Sequence, residues 1–208
     1  MSQSAKFWDK ISARYAKQPV ADEAAYQKKL KVSRDYFKPE MEVLEIGCGT
    51  GSTAIAHVPY VKHIHAIDIS LKMIEIARGK VEKEKVENVT FEQSTIDDLN
   101  IEAGSLDAVL ALSLLHLVED KDDVIKKVYG MLKPGGVFIS STVCMSDSML
   151  KLLRPIIPIG MLFGFMPSVK FFTAKALEAS LTEAGFEIEY RWLPKKGAAL
   201  FLVVRRPV

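Results

Sequence analysis

Residues 43–56 read VLEIGCGTGSTAIA, an apolar run that carries Glu45 into three alternating glycines, Gly47, Gly49 and Gly51, with Cys48 and Thr50 between them. A residue without a Cβ lets the backbone pass close to a ligand, and the free amides that open the following helix suit an electron-rich group. The three glycines are therefore read as points of close approach. Nucleoside-binding βαβ units keep a carboxylate for ribose hydroxyls about 20 residues beyond such a turn. Asp68, at the end of the apolar segment HIHAID, stands where that carboxylate is expected.

Spacing narrows the nucleoside. A dinucleotide fingerprint is G-x-G-x-x-G, whereas here the third glycine comes one residue early and Ser52 takes its place. Glu45 would repel a pyrophosphate but would attract an ammonium and a sulfonium. On these residues the chain resembles the class I S-adenosylmethionine-dependent methyltransferases, whose E-x-G-x-G-x-G motif matches Glu45, Gly47, Gly49 and Gly51.

The resemblance implies roles for particular residues. The turn, Cys48 included, would run along the methionine part of S-adenosyl-L-methionine, with Glu45 near its ammonium, and Asp68 would take both ribose hydroxyls. Ile69 and Met73 would pack on the adenine, although Met73 also suits ordinary helix packing. The family's acidic residue after the third strand is absent, because QSTIDDL puts Thr95 and Ile96 there. A hydroxyl or a main-chain carbonyl replaces the carboxylate, unless Asp97 reaches back. After the fourth strand, Ala111 and Leu112 would offer carbonyls to the ammonium. Tyr15 in ISARYA matches a tyrosine that closes over the cofactor's carboxylate, its other reading being a helix-face aromatic. His116 is a candidate general base by its titration range or, beside leucines, a structural histidine. Methyl transfer from a sulfonium is a direct displacement that needs alignment above all, so a catalytic side chain is optional.

These residues need elements to position them. Apolar residues recur at helical spacing over residues 7–37 (Trp8, Ile11, Tyr15, then Tyr26, Leu30, Val32), predicting two helices with a bend near Pro19. Strands are expected at 42–46, 63–68, 88–93, 106–112 and 137–142, and helices at 51–57, after Ser70, at 122–132 and at 173–184. KPGG, residues 133–136, is read as a helix stop and tight turn. GFEIEYRWL and AALFLVVRR form a hairpin around residues 195–197. Alternating strand and helix imply a parallel sheet covered on both faces. The resemblance extends this to a Rossmann-like, doubly wound α/β fold of seven mostly parallel strands ending in an antiparallel hairpin.

The 208 residues suit a single domain, 1–208, with 1–38 as a helical cap and 145–172 as an apolar lid or insertion. Lys and Arg total 28 against 26 Asp and Glu, a net charge of +2 that gives no reason to expect a nucleic-acid partner. The mixed-charge run at 78–87 reads as the solvated end of a helix. Cys48 and Cys144 have no metal or redox spacing, His63 and His65 read as structural, and no metal is expected. The amino terminus lacks a signal-peptide core, which points to the cytoplasm.

The stretch 149–172 holds fifteen uncharged residues between Arg154 and Lys170, interrupted by three prolines and two glycines. It is short of the roughly 20 residues that span a bilayer. It suits a lid over a small, apolar acceptor, ordinary core packing, or a surface that docks on a membrane or another subunit. With FWDKISARYA near the start, the plan is similar to the small-molecule and quinone- or lipid-type members of the family. Three alternatives stand beside methyl transfer to such an acceptor. A nucleotide-dependent oxidoreductase conflicts with the glycine spacing. A non-catalytic binding protein of the same fold is open because of Thr95, and RNA methylation lacks a basic stripe with interleaved aromatics.

Overall fold

A computed structural model describes residues 2–147, 160, 166–195 and 197–208. Short polar side chains open the helices by accepting backbone N–H groups that have no intrahelical partner. Ser2 caps α1 (Gln3–Tyr15) and Asp22 caps α2 (Glu23–Arg34). Ser70 does so for α4 (Leu71–Glu84), Asp120 for α5 (Lys121–Met131) and Thr173 for α6 (Ala174–Glu183). The short α3 (Ser52–His57) starts instead from Gly51 in the left-handed conformation, φ +76°.

The strands are β1 (Glu42–Ile46), β2 (His63–Asp68), β3 (Val89–Gln93), β4 (Leu106–Leu112), β5 (Leu132–Val143), β6 (Glu187–Trp192) and β7 (Ala199–Arg205). They form one sheet in the order β3-β2-β1-β4-β5-β7-β6. The first five strands run parallel, and β7 enters antiparallel between β5 and β6. This is the seven-stranded plan expected from the sequence, with its terminal hairpin. Strand order reverses between β1 and β4, and the crevice beyond their carboxyl ends is where open α/β sheets bind ligands.

Side chains alternate across the sheet. Leu44 and Ile46 join a core with residues of α5 and α6, including Val124, Ile125, Leu177 and Leu181. Val43 joins a second core with Ala54 of α3 and Ile74 and Ala77 of α4. Glu45 shares the face of Val43, which decides where its carboxyl points. Among the described residues no helix is long and apolar enough to cross a membrane.

Residues 133–136 depart from expectation. The helix does stop at Met131, but KPGG is drawn into the start of β5 instead of forming a separate turn. The register slips there, Leu106 pairing with Leu132 and Ala108 with Val137. The irregular stretch recovers partners for its backbone: Gly135 N–H donates to Arg206 O at 2.8 Å and Arg206 N–H to Gly136 O at 2.9 Å. Asp107 closes the bulge by accepting from Lys133 Nζ at 2.7 Å and from Glu42 N–H at 2.9 Å. A buried backbone group must find a partner, and the C-terminal segment supplies partners that a local motif cannot reveal.

Candidate functional site

A cavity of about 600 Å³ opens at the carboxyl ends of β1, β2 and β4. Its floor begins with the glycine turn, which is stitched to β2 by Gly47 and Cys48 N–H groups donating to Ile67 O at 2.8 and 2.9 Å. The three glycines do different things. At Gly49 (φ +55°) a Cβ would meet nothing within 4 Å, so this residue faces open space. At Gly47 (φ +70°) it would lie 2.7 Å from Leu114 Cδ1. At Gly51 (φ +76°) it would lie 2.7 Å from Phe91 Cζ and 2.8 Å from Ala77 Cβ. Gly49 and Gly47 thus line the cavity, whereas Gly51 lets the start of α3 pack on β3 and α4.

Asp68 lines the cavity and is fixed at both oxygens: Gly49 N–H donates to Oδ2 and Ser70 N–H to Oδ1, each at 2.9 Å. Each oxygen keeps a lone pair for a ligand hydroxyl. Burial raises the Asp68 pKa, against which the two backbone bonds favour the carboxylate. Above it lies α1, whose Trp8 and Tyr15 line the cavity with ring centroids 6.1 Å apart, edge to face. Tyr15 is 46% exposed, and its hydroxyl is raised by partial burial and then by the charge of Asp68. α1 is clasped to α4 through Asp9 Oδ1, which accepts from Ser70 Oγ at 2.6 Å and Lys72 N–H at 3.0 Å. Ser2, Gln3, Ser4 and Trp8, to which no motif points, also form part of this wall.

Ile69 and Met73 line the cavity, Met73 at 2% exposure and also part of the packed interior. Thr95, Ile96 and Asp97 line it as well. The Thr95 hydroxyl donates to Asp98 Oδ2 at 2.7 Å, and Asp97 is paired with Lys127 of α5, so neither carboxylate stands free in place of the missing acid. Leu112 lines the cavity, but Ala111 does not, being fully buried beneath it. Ser113 adds a wall residue that no motif announces. It is left-handed at φ +60°, a conformation uncommon outside glycine, and its N–H donates to Ser141 O at 2.7 Å.

Glu45, Cys48, Gly51, Ala111 and His116 stand outside the lining. Cys48 turns into the second core. His116 has a buried Nδ1 with no partner and a pKa lowered to about 4 by burial, a weak base at neutral pH. Glu45 is 3% exposed, and its Oε2 has no hydrogen-bond partner. Burial, followed by the charge of Asp68, pushes its pKa up to about 8. The folded protein therefore holds a proton that the unfolded chain releases near 4.5, and this contribution to stability is complete below 4.5 and lost as pH rises through about 8. Urea unfolding is expected to show stability falling by about 2 kcal/mol more in the wild type than in Glu45→Gln between about pH 6.5 and 8. Equal pH profiles for the two proteins would contradict the assignment.

The charged side chains that line the cavity are Asp68, Asp97, Glu119, Asp120 and Asp123, with no Lys, Arg or His among the described residues. Lys127 neutralises Asp97 and Asp123, which leaves an acidic wall suited to a cation and hostile to a pyrophosphate.

A seven-stranded sheet with this order and a glycine turn held to a buried carboxylate define a class of group-transfer proteins, and the comparisons identify the family. A family model described as a methyltransferase domain matches residues 37–161, more than half of the 208-residue chain, and the chain belongs to that family. It is 33% identical over 102 residues to the uncharacterized methyltransferase YcgJ of Bacillus subtilis, covering 49% of this chain and 40% of that one. It is 31% identical over 114 residues to a ubiquinone biosynthesis O-methyltransferase of Methylocella silvestris, covering 53% and 44%. The matched stretch spans less than half the length of either relative. A solved structure of a putative S-adenosylmethionine dependent methyltransferase from Listeria monocytogenes has a TM-score of 0.70 at 25% identity, covering 89% of this chain and 98% of that one.

Proposed function

We propose that this chain transfers a methyl group from S-adenosyl-L-methionine to a small, largely apolar acceptor by direct displacement. The observation that carries this reading is the cavity wall, where carboxylates without a lining cation adjoin Asp68 and the open face of Gly49. The residues fit the cofactor: Gly49 leaves room where a Cβ would intrude, and Asp68 keeps acceptor positions for ribose hydroxyls. When bound, S-adenosylmethionine supplies a methyl group already attached to a good leaving group. The protein's work is then to bind, orient and exclude water. Ile69, Met73 and Ile96 offer an apolar surface for the adenine, Thr95 its backbone, and Leu112 its carbonyl for the ammonium. Trp8 and Tyr15 cover the site from α1.

Leu114, Leu117, Val118 and Pro167 give the rest of the wall its apolar character, which supports an apolar acceptor, as does the name of the Methylocella relative. Most of the 149–172 stretch, read from sequence as a lid or a membrane or subunit contact, lies outside the described residues. Its described end supports the lid: Pro167 and Ser168 line the cavity, and Lys170 N–H donates to His116 O at 2.8 Å.

Isothermal titration with S-adenosylhomocysteine and with NAD tests the cofactor. Binding of the first and none of the second is expected, and the reverse result overturns the proposal. A binding protein of this fold without turnover is the second reading, favoured by the Thr95 hydroxyl being committed to Asp98. Weak binding of S-adenosylhomocysteine that Thr95→Asp restores would favour that second reading.

A further inference from the structure

Helix α1 and the residues just beyond it carry positive charge that the cavity does not use. Residues 1–20 hold Lys6, Lys10, Arg14 and Lys17 against Asp9 alone, a net +3 in a chain whose total is +2, so the remainder is net −1. All four basic side chains are exposed. Asp9 is turned instead toward α4, where it accepts from Ser70 Oγ and Lys72 N–H. None of the ion pairs among the described residues includes Lys6, Arg14 or Lys17.

Their spacing makes a surface of them. Residues four apart lie in one row along a helix, so Lys6, Lys10 and Arg14 form a ridge on α1, with Lys17 just past its end. The neighbouring row, one residue on, is Phe7, Ile11 and Tyr15, the first two half-buried and the third 46% exposed. Tyr15 lines the cavity, and Val20, a few residues further along, is 48% exposed. A basic ridge thus runs beside an apolar row whose end meets the cavity wall. Basic side chains bordered by aromatic and aliphatic ones are the composition of a helix face that rests on anionic lipid. A nucleic acid would also be drawn to the ridge. The cavity behind it, however, is lined by carboxylates, with no lining cation among the described residues to receive a phosphate. A bilayer keeps its charge at the headgroups, outside that acidic interior.

We infer that the face of α1 carrying Lys6, Lys10 and Arg14 docks the protein on a membrane surface rich in anionic lipid. Headgroup phosphates meet the ridge, and Phe7 and Ile11 face the apolar boundary beneath them. Docked in this way, Trp8 and Tyr15 stand at the lipid surface with the cavity behind them. Docking does not depend on the chemistry inside the cavity, so it stands or falls apart from methyl transfer.

The test is flotation of the whole chain with vesicles of phosphatidylcholine alone and of equimolar phosphatidylcholine and phosphatidylglycerol. Binding to the anionic vesicles is expected to be roughly hundredfold tighter and to be lost at about 0.5 M NaCl. It is expected to drop to the neutral-vesicle level in a triple variant, Lys6→Gln with Arg14→Gln and Lys17→Gln. A second triple variant, Lys38→Gln with Lys83→Gln and Lys85→Gln, removes the same charge from exposed sites elsewhere. It is expected to bind within about threefold of wild type, because only charge near the lipid surface counts. Both variants are expected to keep the wild-type Tm. Equal binding to the two kinds of vesicle, binding that survives the first variant, an equal loss in both variants, or tighter binding to polyuridylate than to the anionic vesicles overturns the inference.

Discussion

Asp68→Ala is expected to weaken S-adenosylhomocysteine binding about a hundredfold, close to 3 kcal/mol, as befits the loss of hydrogen bonds to a charged group. The substitution removes more than a ribose partner. Asp68 holds the Gly49 and Ser70 amides, each at 2.9 Å, and so ties the glycine turn to the cap of α4. Ser70 in turn reaches Asp9 on α1. Without the carboxylate, the turn loses its anchor beneath the ligand and two backbone donors lose their acceptor. Asp68→Asn keeps one carbonyl acceptor and is expected to fall between alanine and wild type. Calorimetry on variants that retain the wild-type circular dichroism checks the prediction. An affinity for Asp68→Ala within about threefold of wild type would remove Asp68 from the binding site.

The second large effect separates two glycines of one motif. Gly51→Ala places a methyl group 2.7 Å from Phe91 Cζ and 2.8 Å from Ala77 Cβ, in a backbone at φ +76°. Both neighbours are core residues at 4% and 0% exposure. Overpacking and the left-handed conformation together are expected to cost about 3 kcal/mol, or a fall in Tm of about 10 °C for a chain of this size. Gly49→Ala meets nothing within 4 Å and carries only the conformational cost, about 1 kcal/mol. Its added methyl group enters the cavity, so its effect is expected in cofactor affinity. Thermal unfolding and calorimetry on the two variants should therefore give opposite rankings. Phe91→Leu should partly rescue Gly51→Ala, because the ring tip is one of the two groups in the way and Ala77 Cβ stays, and it should do nothing for Gly49→Ala. Equal falls in Tm would mean that the Gly51 contact is absent.

This contrast shows what the sequence could and could not carry. Strand positions were legible because buried parallel strands read as short apolar runs, as HIHAID and LDAVLAL do here. Ser70 was legible as a cap because capping is a local event between a side chain and an amide three residues on. The glycine motif marked a turn but could not divide the labour within it, since the reason for Gly51 lies in Phe91, 40 residues away by number. Glu45 was placed near a ligand by its motif, yet strand alternation turns it to the face of Val43, where its carboxyl is buried. KPGG is a helix stop as expected, but the tight turn gives way to strand because Arg206, far along the chain, supplies its backbone partners. Ser113 was invisible because a left-handed serine has no sequence signature.

The place of β7 in the sheet bears on how the chain is made. Its central residues Leu200, Phe201, Leu202 and Val203 have no exposed surface, and it pairs with β5 on one side and β6 on the other. A ribosome delivers β5 long before residue 205 emerges, and until then the outer edge of β5 offers a row of unpaired amides and carbonyls to any other nascent strand. Translation that halts ahead of β7 therefore yields an open, association-prone sheet, not a shortened but serviceable protein. Residues that contribute nothing to the cavity thus decide whether a newly made molecule reaches its folded state.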